Sequence, residues 1–115
     1  MTYTTEWTGP MMVIRLDGDL TGGFSTQTML DQVNEKITQG TRLCAVDISQ
    51  VRYMNSTGVD VLITLLTKFR NKGGEIVLVN PSEQVRKLLI ITKLNAIFHL
   101  AASLEEAVEK LKLSM

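Results

Sequence analysis

Asp47-Ile-Ser-Gln-Val-Arg-Tyr-Met-Asn-Ser-Thr-Gly58 links an apolar run to an amphipathic segment and therefore predicts the order strand, turn, helix. The run Leu43–Ile48 is short and almost continuously apolar, as is typical of a central strand covered on both faces. The helical pattern begins near Ser56 or Thr57 and continues to Asn71–Lys72. The two hydroxyls thus lie at a helix start, where backbone N–H groups are open and the helix dipole favours negative charge.

The rest of the chain continues this alternation in both directions. Further strands are predicted at Thr2–Trp7, Met11–Leu16, Glu75–Val79 and Ala96–Leu100, and further helices at Ser25–Gln39, Glu83–Lys93 and from Ser103 to about Lys112. Ser82 is a candidate helix cap, and Ser103 with Glu106 forms a capping-box pattern. The order β-β-α-β-α-β-α-β-α predicts an α/β fold, a mixed β-sheet with flanking helices after an opening hairpin.

Length and charge restrict the class of protein. With 115 residues we expect one domain over residues 1–115. Twelve basic residues balance twelve acidic ones, so nucleic acid is not an expected partner. The first fifteen residues lack a long apolar run, and no stretch approaches the ~20 apolar residues that a bilayer span needs, so we expect neither a secretory signal nor membrane insertion. Cys44 is the only cysteine, which excludes an internal disulfide and fits a cytoplasmic protein.

The hydroxyl pair has two interpretations. In the structural one, Thr57 caps the helix with Asp60 three residues on, and the hydroxyl of Ser56 stays free just outside the helix. In the functional one, Ser56 accepts a phosphate, which adds close to two negative charges at a binding surface. The two interpretations are compatible, because one residue can cap while the other is modified.

Catalytic and metal sites have little support in the sequence. A nucleophile elbow needs Gly-x-Ser-x-Gly, but Met54 stands at the first glycine position and only Gly58 fits the second. The single histidine, His99, would have to serve as a distant general base. Cys44 and His99 do not supply the clustered ligands of a zinc site, and the paired glycines lack the lysine of a nucleotide loop. We therefore predict no catalytic residue, no metal and no cofactor.

A helical wheel divides the second helix into two sides. The side expected to face the sheet carries Val59, Leu62, Ile63, Leu66 and Phe69. The opposite side forms a ridge of Thr57, Asp60, Val61, Thr64 and Lys68, with Leu65 at its border. Val61 is predicted to be an exposed apolar residue on this ridge. Beside a phosphorylation site, such a partly apolar ridge would suit the docking of a partner protein.

The stretch from Asp47 to Leu62 resembles the signature of the STAS domain family, especially the bacterial anti-sigma factor antagonists. The common form in that family is Asp-Leu-Ser, a few residues, then Asp-Ser-Ser-Gly-Leu. The resemblance covers nearly the whole chain, with further similar segments at Leu16-Asp-Gly-Asp-Leu20, Gly73-Gly-Glu-Ile-Val77 and Val85-Arg-Lys-Leu-Leu89.

The resemblance implies a cytoplasmic regulator without catalysis. In the family, a partner that is both anti-sigma factor and serine kinase phosphorylates the serine that corresponds to Ser56. Thr57 is the less favoured candidate for phosphorylation in this chain. Unphosphorylated antagonist captures the kinase and frees the sigma factor, and a PP2C-type phosphatase resets the switch. The implied partner-binding residues are Asp19, Thr21, Asn55, Thr57, Gly58, Val61, Thr64 and Lys68. We expect a monomer or a weak dimer.

Two residues depart from the family pattern. Asn55 replaces the usual acidic residue before the serine, and Thr21 replaces an aspartate often found in the preceding loop. A carboxylate can orient the serine hydroxyl or accept its proton, whereas an amide only forms hydrogen bonds. Slower phosphorylation is one consequence. The other is a constitutive adaptor, for example a subunit of a signalling complex or of a transporter ATPase. A hydrolase acting through Ser56 is the third hypothesis.

Overall fold

A computed structural model describes residues 1–114 and contains one five-stranded sheet with helices on both faces. The strands are β1 (Thr2–Thr8), β2 (Met11–Asp17), β3 (Leu43–Gln50), β4 (Glu75–Val79) and β5 (His99–Ala101), and the helices are α1 (Phe24–Thr38), α2 (Ser56–Arg70), α3 (Glu83–Ile91) and α4 (Leu104–Lys112). The strands lie in the order β1-β2-β3-β4-β5. β1 is antiparallel to β2, and every other neighbouring pair is parallel. The predicted mixed α/β architecture is therefore confirmed.

The opening hairpin forms because a turn at Gly9-Pro10 joins two segments of high β-propensity. Gly9 has a φ of 59°, a left-handed conformation that glycine adopts without steric cost. β1 lies at the edge of the sheet, as predicted, and all seven of its residues pair with β2 in a continuous register from Thr2 with Asp17 to Thr8 with Met11.

The sheet separates two apolar layers of different size. The larger layer joins one face of the sheet to α1, α2 and α3, and Met12, Ile14 and Leu16 of β2 point into it. The smaller layer lies under α4, and the alternate residues Met11 and Val13 point there. β3 is buried on both faces over Leu43–Val46, which confirms the prediction of a central strand.

The region after α3 differs from its prediction. Lys93 adopts a left-handed conformation with a φ of 62°, so α3 ends at Ile91 rather than at Lys93. A short 3₁₀ turn, Leu94–Ala96, takes the place of the predicted start of the last strand. Arg70 Nη2 donates a hydrogen bond of 2.8 Å to the carbonyl of Ile97 and fixes this turn outside the sheet. The strand is therefore β5, whose three residues pair with Val77–Val79 of β4.

Candidate functional site

The candidate site lies at the sheet edge where the carboxyl ends of β2 and β3 meet. Two loops leave these strands, one leading to α1 and the other to α2, and main-chain contacts join them. Leu20 forms an isolated parallel bridge with Met54, and its N–H donates to the carbonyl of Tyr53 at 2.9 Å. The N–H of Gly18 donates to the carbonyl of Gln50 at 3.2 Å. The loop before α1 and the start of α2 therefore form one surface.

Asn55 caps α2. Its backbone is extended, with φ −97° and ψ −175°, and its side-chain Oδ1 accepts a hydrogen bond of 2.9 Å from the N–H of Gly58. This is the usual geometry of an asparagine N-cap. The prediction that Thr57 is the cap, with Asp60 as its partner, is wrong, because the helix begins two residues earlier than that interpretation requires.

Ser56 is the first residue of α2 and is exposed. Its Oγ makes no hydrogen bond to any other residue within 1–114. The hydroxyl therefore faces solvent at the helix start, where the N–H groups of the first turn lack carbonyl partners within the helix. Thr57 is also exposed, but its methyl group lies against the other loop, since a Cβ built on Gly22 would come within 2.8 Å of Thr57 Cγ2.

Gly58 is the point of closest contact between α2 and the loop before α1. A Cβ built at this position would lie 2.0 Å from the carbonyl oxygen of Leu20 and 2.7 Å from Cγ of Met54. Only glycine fits between these atoms without a movement of the backbone. Gly58 is buried, so its observed contacts are internal, and they set how closely Ser56 and the loop carrying Asp19 approach each other.

Val61 and Leu65 correct the predicted ridge. Val61 is 6% exposed and Leu65 is fully buried, so both belong to the core rather than to a docking surface. Val59 and Ile63, which were predicted to face the sheet, are instead half-buried. The buried side of α2 is wider than the predicted stripe because the helix packs on α1 as well as on the sheet.

The remaining predicted partner-binding residues lie around Ser56 or further along α2. Asp19 and Thr21 are exposed on the loop before α1. Thr64 is half-buried, and its Oγ1 donates to the carbonyl of Asp60 at 2.7 Å. Lys68 Nζ donates to Asn34 Oδ1 of α1 at 2.8 Å. The structure thus places Asp19 and Thr21 on the loop that contacts Thr57 and Gly58 at the start of α2. Thr64 and Lys68 lie further along α2, where Lys68 contacts α1.

Two exposed aromatic residues flank the site and were not predicted. Phe24 is 88% exposed at the first position of α1, and Tyr53 is 55% exposed three residues before Ser56. Phe24 directly follows Gly22-Gly23, and its position lies off the buried positions Thr26, Met29, Val33 and Ile37 of α1. This position outside the buried stripe could have predicted from the sequence that the phenyl ring is exposed. Aromatic side chains on such a surface are common anchors in protein interfaces.

His99 does not support a hydrolytic site. It lies on β5, pairs with Val77, and its Nε2 is 3.6 Å from Glu75 Oε2 at the start of β4. Ser56 follows the opposite, carboxyl end of β3, so the serine–histidine pair of the hydrolase hypothesis does not form. Among residues 1–114 no cluster of three or more histidine, cysteine, aspartate or glutamate side chains could hold a metal ion.

A helix able to cross a bilayer, judged by length and apolar character, is not found within residues 1–114.

Comparisons with known proteins place the chain in a family. The model of the STAS domain matches residues 2–107. An anti-sigma-B factor antagonist of Bacillus subtilis is 35% identical over 68 residues, which are 59% of this chain and 60% of that protein. A crystal structure from Thermotoga maritima has a TM-score of 0.86 at 20% identity and covers 96% of this chain and 94% of its own. The phosphorylated form of the Bacillus cell fate determinant SpoIIAA has a TM-score of 0.76 at 24% identity, with 95% and 98% covered.

The family match spans nearly the whole chain, and the solved structures share its sheet and helices. The family resemblance of the sequence is thereby confirmed. The chain belongs to the STAS domain family.

Proposed function

We propose that this protein is an anti-sigma factor antagonist, a cytoplasmic protein-binding module without catalytic activity of its own. In this role it captures a partner that is both anti-sigma factor and serine kinase, and so releases a sigma factor. Phosphorylation of Ser56 by that partner ends the binding, and a PP2C-type phosphatase restores it. The observation that carries the proposal is the free, exposed hydroxyl of Ser56 at the start of α2. The name of the Bacillus subtilis relative supports it.

The geometry explains how a phosphate could switch binding without unfolding the domain. At the first position of α2, a phosphate would lie near open N–H groups and the positive end of the helix dipole. The side chain is exposed, so no apolar contact of the core is lost. In a protein interface the same charge would be costly, because it would lose its water without gaining a partner. Binding should therefore respond much more strongly than stability.

The departure at Asn55 is compatible with this switch. Its amide caps α2 through the bond to Gly58, a role that asparagine and aspartate fill about equally well. A neutral cap also places no negative charge directly beside the phosphate. Because Asn55 cannot accept the proton of the Ser56 hydroxyl, the general base for phosphorylation would have to come from the kinase.

The test is phosphorylation by an anti-sigma serine kinase from the same organism. We would incubate the protein with that kinase and ATP and locate the phosphate by mass spectrometry. Phosphate is expected on Ser56 of the wild type and of Thr57→Ala, and is expected to be absent from Ser56→Ala. Treatment with a PP2C-type phosphatase should remove it. A kinase that is active on another substrate but leaves Ser56 unmodified would contradict the proposed switch.

A constitutive adaptor is the second candidate function, and Asn55 is the observation that favours it. In that case Ser56→Ala should bind the partner with unchanged affinity and remain functional in cells. Binding of Ser56→Asp separates the two candidates. The switch predicts a large loss of affinity for the anti-sigma kinase, whereas an adaptor that does not bury this position would bind almost as well as the wild type.

A further inference from the structure

We propose that the protein forms a homodimer through its edge strand β1, with two copies of Thr2–Thr8 paired antiparallel into one continuous ten-stranded sheet. The two edges of the sheet differ in their capacity for such pairing. β5 has only three residues, whereas β1 has seven and pairs with β2 without a bulge. Within residues 1–114 no backbone hydrogen bond joins β1 to any segment other than β2. Its outer N–H and C=O groups are therefore open to a further strand.

The composition of β1 favours pairing. Natural edge strands usually avoid association by means of lysine, proline, bulges or short length. The sequence Thr-Tyr-Thr-Thr-Glu-Trp-Thr contains neither lysine nor proline, and apart from one glutamate every residue is β-branched or aromatic. The only charged group, Glu6, is bound to Arg15 of β2 at 3.5 Å. The edge consequently lacks the usual protection.

Charge selects the register of the proposed pair. An arrangement centred on Glu6 would place two carboxylates opposite each other, which is unfavourable. An arrangement centred on Thr4 would pair only residues 2–6 and leave Trp7 without a partner. Centring on Thr5 pairs all seven residues and sets Glu6 of one copy opposite Thr4 of the other.

The register centred on Thr5 is also complementary in its side chains. Thr4 pairs with Arg15 on β2 within each copy, and the Arg15 guanidinium is 3.5 Å from Glu6 of the same chain. In this register the second copy's Glu6 lies opposite Thr4, on the same face of the sheet as that guanidinium. On the other face of the strand, Trp7 of one copy falls opposite Tyr3 of the other. Trp7 is 48% exposed in the single chain, and an aromatic cross-strand pair would cover it.

Disulfide trapping tests the register directly. In Thr5→Cys the two new thiols face each other across the two-fold axis, so mild oxidation should give a cross-linked dimer on non-reducing gels. The matched control is Thr8→Cys, whose thiols would be about 20 Å apart in this register, at roughly 3.4 Å per residue. Cys44 is buried in both variants and should not interfere. Equal cross-linking of the two variants, or none in Thr5→Cys, would overturn the proposal.

Sedimentation of the unmodified chain supplies an independent test. The weight-average mass should rise with concentration from one chain toward two, and the emission of Trp7, the only tryptophan, should shift to shorter wavelength in parallel. Thr5→Lys sets two like charges against each other at the axis and should remain monomeric, with circular dichroism showing that it is folded. A wild-type mass of one chain at every concentration would refute the dimer, whatever the outcome for Ser56.

Discussion

At the residue scale, Asn55 separates two tasks that the sequence places side by side. Its side chain caps α2 through the N–H of Gly58, and Ser56 is left free. Asn55→Ala should lower the free energy of unfolding by about 1 kcal/mol, since the N–H of Gly58 loses its acceptor. Asn55→Asp should stay close to the wild type because a carboxylate fills the same role. Urea unfolding measures both variants, and wild-type stability of Asn55→Ala would show that the cap contributes nothing.

Gly58 should be intolerant of even one additional carbon. Replacement of a helical glycine by alanine normally stabilises a helix by about 0.5–1 kcal/mol. At this position the methyl group would meet the carbonyl oxygen of Leu20, so Gly58→Ala should instead destabilise the protein by about 2–4 kcal/mol. Ser56→Ala in the same turn is the control and should change stability by less than about 0.5 kcal/mol. Thermal unfolding of the two variants would decide the matter.

At the element scale, α2 should respond to charge according to its dipole. Ser56→Asp adds a negative charge at the first position of the helix and should stabilise the protein by about 0.3–1 kcal/mol. Thr67→Asp adds the same charge to an exposed position near the helix end and should destabilise it by a similar amount. The difference in melting temperature between Ser56→Asp and Thr67→Asp should be smaller in high salt, because salt screens the interaction of each charge with the dipole. A fall in stability for Ser56→Asp would mean that charge at this position disturbs the fold itself.

The two sides of α2 can be separated by substituting Val61 and Thr64. Val61→Asn places an amide in the core and should cost about 2–4 kcal/mol of stability. Thr64→Asn alters a half-buried polar position and should cost less than about 1 kcal/mol. Denaturant unfolding compares them. Equal, small effects would restore Val61 to the surface that the sequence predicted.

The contrast at Val61 shows what a helical pattern can and cannot predict. The apolar spacing identified α2 and half of its buried residues, Leu62, Leu66 and Phe69, because one face must pack on the sheet. It did not predict that Val61 and Leu65 are buried as well, in a helix that contacts α1 in addition to the sheet. The prediction of the cap was wrong because the helix starts two residues earlier than expected, which makes Asn55 rather than Thr57 the N-cap. Contacts between distant segments, such as Lys68 with Asn34, leave no local signal in the sequence.

At the scale of the whole molecule, the order of the strands and helices could be predicted from the sequence. Which side chains are buried in the core could be predicted only in part. Each strand other than β5 was predicted to within two residues, since periodicity and turn residues agree there. The Ser56 position was also predicted, because a motif fixes it between β3 and α2. Phe24 and Tyr53 were missed, as their exposure depends on how the two loops meet at Leu20 and Met54.

Cys44 links the stability of the whole domain to pH. Burial raises the pKa of its thiol well above the usual value of about 8.5. Above that pH the unfolded chain releases the thiol proton and the folded chain keeps it, so the free energy of unfolding should fall as pH rises. The contribution between pH ~9 and ~10 is about 1.4 kcal/mol per unit. Urea unfolding of Cys44→Ala should lack this part of the slope, and identical slopes would contradict it.

The dependence of one sheet face on α4 alone has a consequence for biosynthesis. α4 follows all five strands in the chain, and its Ala107 and Leu111 cover apolar residues of β2, β3, β4 and β5. A ribosome adding about 5–20 residues per second would therefore expose the completed sheet surface until the last helix emerges. During that interval the nascent polypeptide exposes this apolar face of the sheet to the cytosol and to other proteins. Substitutions that slow the docking of α4 should lower the yield of folded protein in vivo more than its equilibrium stability.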